Sequence, residues 1–349
     1  MIKNSLKKIL SVFLFSIIIL IGLYIHTRAR NNRNGGFKRM IIPHALGKTK
    51  SIDLQFNSFY ISGLDSETLL LSNRTAPSYL LRTDRSLNNL DTFHIRLRDS
   101  LKRSYLFCAA FNSTLYLCDP NQNVILRAFR PYQQPEEYQH TAIPYFNSLL
   151  PVSSGSVILR TYNNELKKNT LTKLNWVKPF IREMPDLVQS GNEGYFSTDG
   201  TLCFDKNTRQ LIYVYRYRNT FITMDSNLNL IHQDQTIDTT DRPQLNIGSF
   251  KNKEITSTTF SSPPFEINRN ACASDGLLYV CSNVRAENEE QSAFDLYSTL
   301  DVYQIKNGRY QFSFYILKEN NHPISSFQID RKTLYVICDH YLTEYELTF

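Results

Sequence analysis

Ser113-Thr114-Leu115-Tyr116-Leu117-Cys118-Asp119 is a short apolar run closed by an acid, and versions of it return five more times along the chain. The copies are Glu67-Thr68-Leu69-Leu70-Leu71-Ser72-Asn73, Gly155-Ser156-Val157-Ile158-Leu159-Arg160-Thr161, Arg209-Gln210-Leu211-Ile212-Tyr213-Val214-Tyr215, Gly276-Leu277-Leu278-Tyr279-Val280-Cys281-Ser282 and Lys332-Thr333-Leu334-Tyr335-Val336-Ile337-Cys338. Aligned on their third residue they fall at 69, 115, 157, 211, 278 and 334, at intervals of 46, 42, 54, 67 and 56 residues. A period of about 40 to 50 residues, stretched by loop insertions, is the spacing of radial four-stranded blades. Each copy then belongs to the inner hairpin of one blade.

Longer matches support the same unit. Residues 80–88, from Leu80 to Asn88, align without a gap on 221–229, from Phe221 to Asn229, and both read as strand, polar turn, strand. Asp and Asn suit such turns because their side chains bond the nearby backbone and tolerate left-handed conformations. Cys108 to Cys118 likewise matches Cys272 to Cys281, one residue shorter. The blades are read at 57–97, 104–143, 145–187, 193–237, 268–317 and 323–347. The last shows only three strands, so Ser51 to Phe56 or Met40 to Ile42 is expected to supply its outer strand and remove an exposed edge. Asp238 to Asn268 is an excursion that could hide a seventh blade. The fold class expected is all-β, a six-bladed β-propeller (seven possible) after an N-terminal transmembrane helix. The domains are 1–27 (anchor), 28–49 (basic polar tether) and 50–349 (propeller).

This rhythm resembles the six-bladed propellers of the TolB-like or YncE-like kind, in their membrane-tethered bacterial form. The resemblance implies binding at the loop faces or in the central channel, and it brings no catalytic motif. A WD40 array is unsupported, since the only Trp is Trp176.

Charge is unevenly placed. Of 39 Lys and Arg, eight lie in residues 1–39 with no acid among them, which leaves 31 bases against 32 acids elsewhere. Nucleic-acid binding needs basic residues gathered on the folded part, so no nucleic-acid partner is expected. Lys3, Lys7 and Lys8 precede an uncharged run over 9–27, 19 residues long, or about 28 Å as a helix, close to a bilayer's apolar thickness. An uncleaved signal anchor is favoured over a cleaved signal peptide, whose apolar core is usually shorter and ends at small residues. Counting Lys and Arg on either side of the run leans towards a cytoplasmic domain. The order of lysines then apolar run is export-like, and the propeller is expected on the periplasmic side of the inner membrane. Arg28 to Arg39 could then rest on anionic head groups.

No catalytic, cofactor-binding or metal-binding residue is assigned. Cys108 with Cys118, and Cys272 with Cys281, flank hairpin turns and could bridge, but all six cysteines read first as small packed apolar residues. The seven histidines are scattered, and Asp119 to Asn123 and Asp225 to Asn229 begin like calcium loops but lack the Gly and the closing Glu, so they read as turns. Tyr213, Tyr215 and Tyr217 alternate as a strand face packed between blades, with Arg216 and Arg218 expected on the other side. The loop Arg285 to Ser298, with Glu287, Glu289, Glu290 and Asp295, reads as a solvated charge run. The function expected is a non-enzymatic membrane-anchored module that binds a protein, peptide or small ligand on a propeller face. The alternative is an enzyme or redox accessory subunit with its site at the channel mouth, to which His140, His322 and Glu287 could contribute.

Overall fold

The computed structural model describes residues 10, 12–23, 36–97, 106–132, 135–138, 143–176, 180–191, 194–252 and 255–349. The first strand, β1 (Leu46–Asp53), is held for last by the topology. Blade one is β2 (Phe59–Leu64), β3 (Thr68–Asn73), β4 (Tyr79–Asp84) and β5 (Leu90–His94). Blade two is β6 (Phe107–Phe111), β7 (Thr114–Asp119), β8 (Val124–Phe129) and β9 (Glu136–Tyr138). Blade three is β10 (Phe146–Ser153), β11 (Ser156–Asn163), β12 (Lys168–Asn175) and β13 (Phe180–Met184). Blade four is β14 (Gly200–Asp205), β15 (Gln210–Tyr215), β16 (Thr220–Asp225) and β17 (Leu230–Gln235). After a separate hairpin, β18 (Ile247–Asn252) and β19 (Ile255–Phe260), blade five is β20 (Asn268–Ser274), β21 (Leu277–Ser282), β22 (Tyr297–Gln304) and β23 (Tyr310–Leu317). Blade six is β24 (Ile324–Asp330), β25 (Thr333–Cys338) and β26 (Tyr341–Leu347), completed by β1 in the order β24-β25-β26-β1.

All six repeat copies are second strands of their blades, and β7 is buried along its whole length. The reason lies in the packing. Each junction between neighbouring blades has its own apolar cluster, for example Tyr116, Cys118, Phe146 and Val157 between blades two and three or Ile212, Val214, Leu278 and Val280 between four and five. Second strands face both neighbours, so their residues are apolar on both sides, as in a sheet covered on both faces. The excursion after blade four forms the two-stranded β18–β19 sheet, and the described residues make six four-stranded blades.

One of the two segments expected to close the ring does so in part: the closing strand is β1, which starts before Ser51 and ends at Asp53, while Met40 to Ile42 docks on blade five instead. Ser51, Ile52 and Asp53 of β1 pair antiparallel with Thr343, Leu342 and Tyr341 of β26. Ile41 makes a parallel bridge to Ser313 on the outer strand of blade five, where the Ile42 amide donates to Ser313 O (2.9 Å) and the Ser313 amide to Met40 O (2.8 Å).

That docking carries a buried charge that the sequence reading placed on a membrane surface. Arg39 is 3% exposed. Its guanidinium donates to both carboxylate oxygens of Asp301 (2.7 and 2.9 Å), to Glu289, to Ser282 Oγ (2.8 Å) and to Val284 O (2.8 Å). Burial opposes the charge, but Asp301 and Glu289 outweigh it and push the Arg39 pKa further up. Glu289 is therefore a buried ion-pair partner rather than part of a solvated run, and the short helix Gln291–Leu296 follows it. Removing one member of such a set leaves uncompensated charge and costs about 3–5 kcal/mol.

The aligned stretches 80–88 and 221–229 share their turn. Asp84 accepts from the amide of Asn88 (2.8 Å), and Asp225 accepts from the amides of Asn227 (2.8 Å) and Asn229 (2.9 Å). The left-handed residue is, however, a leucine in both: Leu87 at φ 54° and Leu228 at φ 65°. Both are buried. A left-handed L-residue costs about 1–2 kcal/mol, which burying a leucine side chain offsets at about 1.5–3 kcal/mol.

The cysteines are six free buried thiols. In register, Cys108 faces Leu117 and Cys118 faces Phe107, and the two thiols point into different clusters. Cys281 lies opposite Asn270, two residues from Cys272, so these share a face without being paired across the strands.

At the N-terminus, residues 12–23 are helical, about 18 Å in length, and their apolar side chains are exposed on all sides. Of the run 9–27 expected to span a membrane, residues 12–23 are helical, and among the described residues no helix is long and apolar enough to cross a membrane. Residues 9, 11 and 24–27 and the tether 28–35 lie outside the described residues.

Candidate functional site

Up-and-down blades give the propeller two unlike faces. One, the turn face, carries the tight links from first to second and from third to fourth strands. The other, the loop face, carries the remaining links, including the β18–β19 hairpin. Between them the six first strands, β2, β6, β10, β14, β20 and β24, surround an axial cavity of ≈ 250 Å³.

Small and apolar residues line it: Ile61, Ala109, Leu149, Leu202, Ala271 and the thiol-bearing Cys108 among them. Gly63 permits the approach of blades one and two, since a Cβ there would lie 2.6 Å from that of Ala110. Burial drives the Cys108 and Cys272 thiols up to about 12 and that of Cys203 well above its usual value. They are therefore poor nucleophiles and poor metal ligands, since both roles need the thiolate.

At the turn face the cavity meets a wider mouth of ≈ 630 Å³, with Leu64 and Lys206 in both linings. Lys206 follows β14 in blade four, and its ammonium donates to Leu64 O of blade one at 3.0 Å, reaching across the ring. Its Nζ also lies 5.1 Å from the centre of the Phe111 ring. Burial lowers the Lys206 pKa; the carboxylates of Asp330 and Asp65 pull it back up and Arg85 lowers it again. Those two acids are already engaged: Asp330 with Arg85 at 2.6 Å, Asp65 with Arg130 at 2.6 Å. Arg331 and Lys332, the inner turn of blade six, complete the rim and are exposed.

The loop face treats its cations differently. Arg160 on β11 donates to Asp199, to Gly200 O (2.5 Å) and to Asn147 Oδ1 (2.7 Å). Burial works against its charge, and Tyr213 and Asp199 outweigh that to raise its pKa. Arg216 adds pairs to Asp199 (3.2 Å) and Glu266 (3.0 Å), and Arg269 reaches Glu266 at 3.9 Å. Beside this network runs an aromatic series, Tyr162, Tyr195, Phe196, Phe260 and Tyr217, in which Phe260 of the hairpin sits 4.3 Å from Phe196, centre to centre.

Of the residues suggested by sequence, His322 lies 3.9 Å from Asp339 in blade six. Glu287 is exposed and its amide donates to Phe37 O, and His140 lies outside the described residues. His322 and Glu287 share no contact, and among the described residues no cluster of His, Cys, Asp and Glu is suited to a metal. Asp119 and Asp225 are turn acceptors, as read. Tyr213 and Tyr215 are fully buried between blades three and four, together with Val152 and Ile158. Arg218 is not on the opposite side: its guanidinium stacks 3.8 Å over the Tyr215 ring, because β15 ends at Tyr215 and the alternation ends with it.

Sequence reasoning passed over Lys206, Arg331 and Lys332. A signal was present in the repeat alignment: in blades four and six the Asp that ends the first strand is followed directly by a base, Asp205-Lys206 and Asp330-Arg331-Lys332.

No protein-family model matches the chain, and no curated protein matches it either. Solved structures do resemble it. A member of the DUF4221 family from Bacteroides vulgatus superposes with a TM-score of 0.53 at 9% identity, over 86% of this chain and 97% of that one. A streptogramin B lyase does so at 0.50 and 11%, over 87% and 97%. At such identities the likeness shows the β-propeller fold alone.

Proposed function

We propose that the chain is a non-enzymatic binding module, a propeller that receives a small ligand or a peptide at its channel and is held at the cell envelope by its N-terminal apolar segment. The observation that carries the binding half is the turn-face mouth of ≈ 630 Å³ leading into an axial cavity walled by small and apolar side chains. Its size is that of ordinary ligand pockets. The membrane half is supported by the uncharged run 9–27 in the sequence and by the exposed apolar side chains all round helix 12–23. A helix apolar on every side needs an apolar environment. The propeller is assigned to the periplasmic side of the inner membrane, as a single-pass protein.

The enzyme alternative has one observation in its favour, the lowered pKa of the Lys206 amine at the channel mouth. A catalytic amine would need a second free acid or base beside it, and Asp65 and Asp330 are engaged by arginines.

Two experiments test the reading. Alkaline extraction and protease treatment of intact spheroplasts should leave the full chain in the membrane pellet and expose the propeller to digestion; recovery in the soluble fraction contradicts the anchor. A thermal-shift screen of the full chain against small-molecule classes should find at least one that raises the midpoint, as any ligand of the native state must. A screen without a single stabilising compound or peptide contradicts the binding role.

A further inference from the structure

We infer that the turn-face mouth is a site for a compact multivalent oxyanion, a small molecule bearing two or more phosphate or carboxylate groups, held by Lys206, Arg331 and Lys332. The inference rests on the binding-module reading and specifies its ligand class.

Six residues carry it: Leu64, Asp65, Arg85, Lys206, Arg331 and Lys332, all on one mouth. The charges there do not cancel. Asp330 is bound by Arg85 at 2.6 Å, and Arg85 also donates to Asp65 O at 3.1 Å. Asp65 is bound by Arg130 at 2.6 Å and accepts from the amides of Glu67 (2.9 Å) and Thr68 (2.7 Å). Both acids are therefore engaged by arginines, and they act on Lys206 only through space. Of the remaining bases, Lys206 has among the described residues one hydrogen-bond acceptor, a neutral carbonyl, for the three N–H groups of its ammonium. Arg331 and Lys332 project from a two-residue turn, fixed by the pairing of Asp330 with Thr333 and by the Leu347 amide donating to Lys332 O at 2.7 Å.

Among the described residues, three cations of one mouth thus have no carboxylate in an ion pair with them, and their like charges add to one positive potential at the mouth. An oxyanion supplies what each lacks. Lysines act on it as point charges and the arginine can fork onto two oxygens. Two or more anionic groups are required to span cations that belong to blades four and six. The axial cavity behind, with its Ala, Leu and Cys wall, leaves room for an uncharged portion of the ligand.

The test is calorimetric titration of the full-length chain with pyrophosphate and, separately, citrate, at low and at raised salt. Saturable binding of at least one is expected, weakening with salt. Lys206→Met and the double variant Arg331→Ala/Lys332→Ala should each weaken it about tenfold, the effect of one charge-assisted contact of about 1.4 kcal/mol. Arg242→Ala, an exposed base in the blade-four-to-five connection, should leave it unchanged. Tighter pyrophosphate binding assigns a phosphorylated ligand, and tighter citrate binding a polycarboxylate. If Lys206→Met loses its cooperative melt, the exposed turn pair carries the test. Absence of saturable binding by both anions, or binding indifferent to the folded variants, overturns the site. A screen that then still finds an uncharged or cationic ligand would leave the binding-module reading standing, so the two failures are distinguishable.

Discussion

The two ends of the channel use the same residue types for opposite purposes. At the loop face Arg160, Arg216 and Arg269 are tied to Asp199 and Glu266, and Arg39 is locked between Asp301 and Glu289. At the turn face the acids are claimed by Arg85 and Arg130, while Lys206, Arg331 and Lys332 have no carboxylate in an ion pair with them among the described residues. Paired cations specify how blades and termini fit together. Unpaired ones raise the local potential and remain available to a ligand. Counting bases does not separate these roles; asking whether each has a carboxylate does.

Substitutions should break the comparison in a graded way. Arg39→Ala should cost the most, about 3–5 kcal/mol in urea unfolding, because it strands two buried carboxylates. A loss under about 1 kcal/mol would mean that blade five is not held by the N-terminal segment. Next comes Asp199→Ala, which removes the shared partner of Arg160 and Arg216 and should cost about 1.5–3 kcal/mol, the range for hydrogen bonds to charged groups.

Lys206→Met should do least to stability, within about 0.5 kcal/mol near neutral pH, as for a solvent-reached side chain outside the packed core. Its pH dependence has a definite sign. The folded-state pKa of Lys206 is lowered by burial, with Asp330, Asp65 and Arg85 as the charged neighbours. The unfolded chain therefore binds more protons between that pKa and the usual lysine value. Wild-type stability relative to the variant should rise with pH across this window, and a fall would place the amine in a structural ion pair. The thiols offer a check unrelated to charge: unreduced protein should titrate six free thiols after unfolding and almost none while folded. Four or fewer on unfolding would mean that a bridge forms.

What could be read from the sequence follows how far apart the partners lie. The strand repeat, the six blades and the shared turn of Asp84 and Asp225 are local patterns, legible because each is written within one blade. Closure was legible as a missing fourth strand, and β1 fills it. Arg39 was misread because its partner Asp301 is 262 residues away, and nothing around Arg39 in sequence distinguishes it from Arg28 or Arg33. Lys206 is similar: its acceptor lies 142 residues earlier, on the opposite blade. His322 and Glu287 drew attention by residue type alone, and residue type does not bring groups together.

The most direct measurement is a crystal structure of the chain grown with pyrophosphate. Density for the anion is expected at the turn-face mouth, within hydrogen-bond reach of Lys206 and the Arg331–Lys332 turn, with the Arg160–Asp199–Arg216 network unchanged. An anion seated instead among Arg160, Arg216 and Arg269, with the turn-face mouth empty, would contradict the division between locked and available cations.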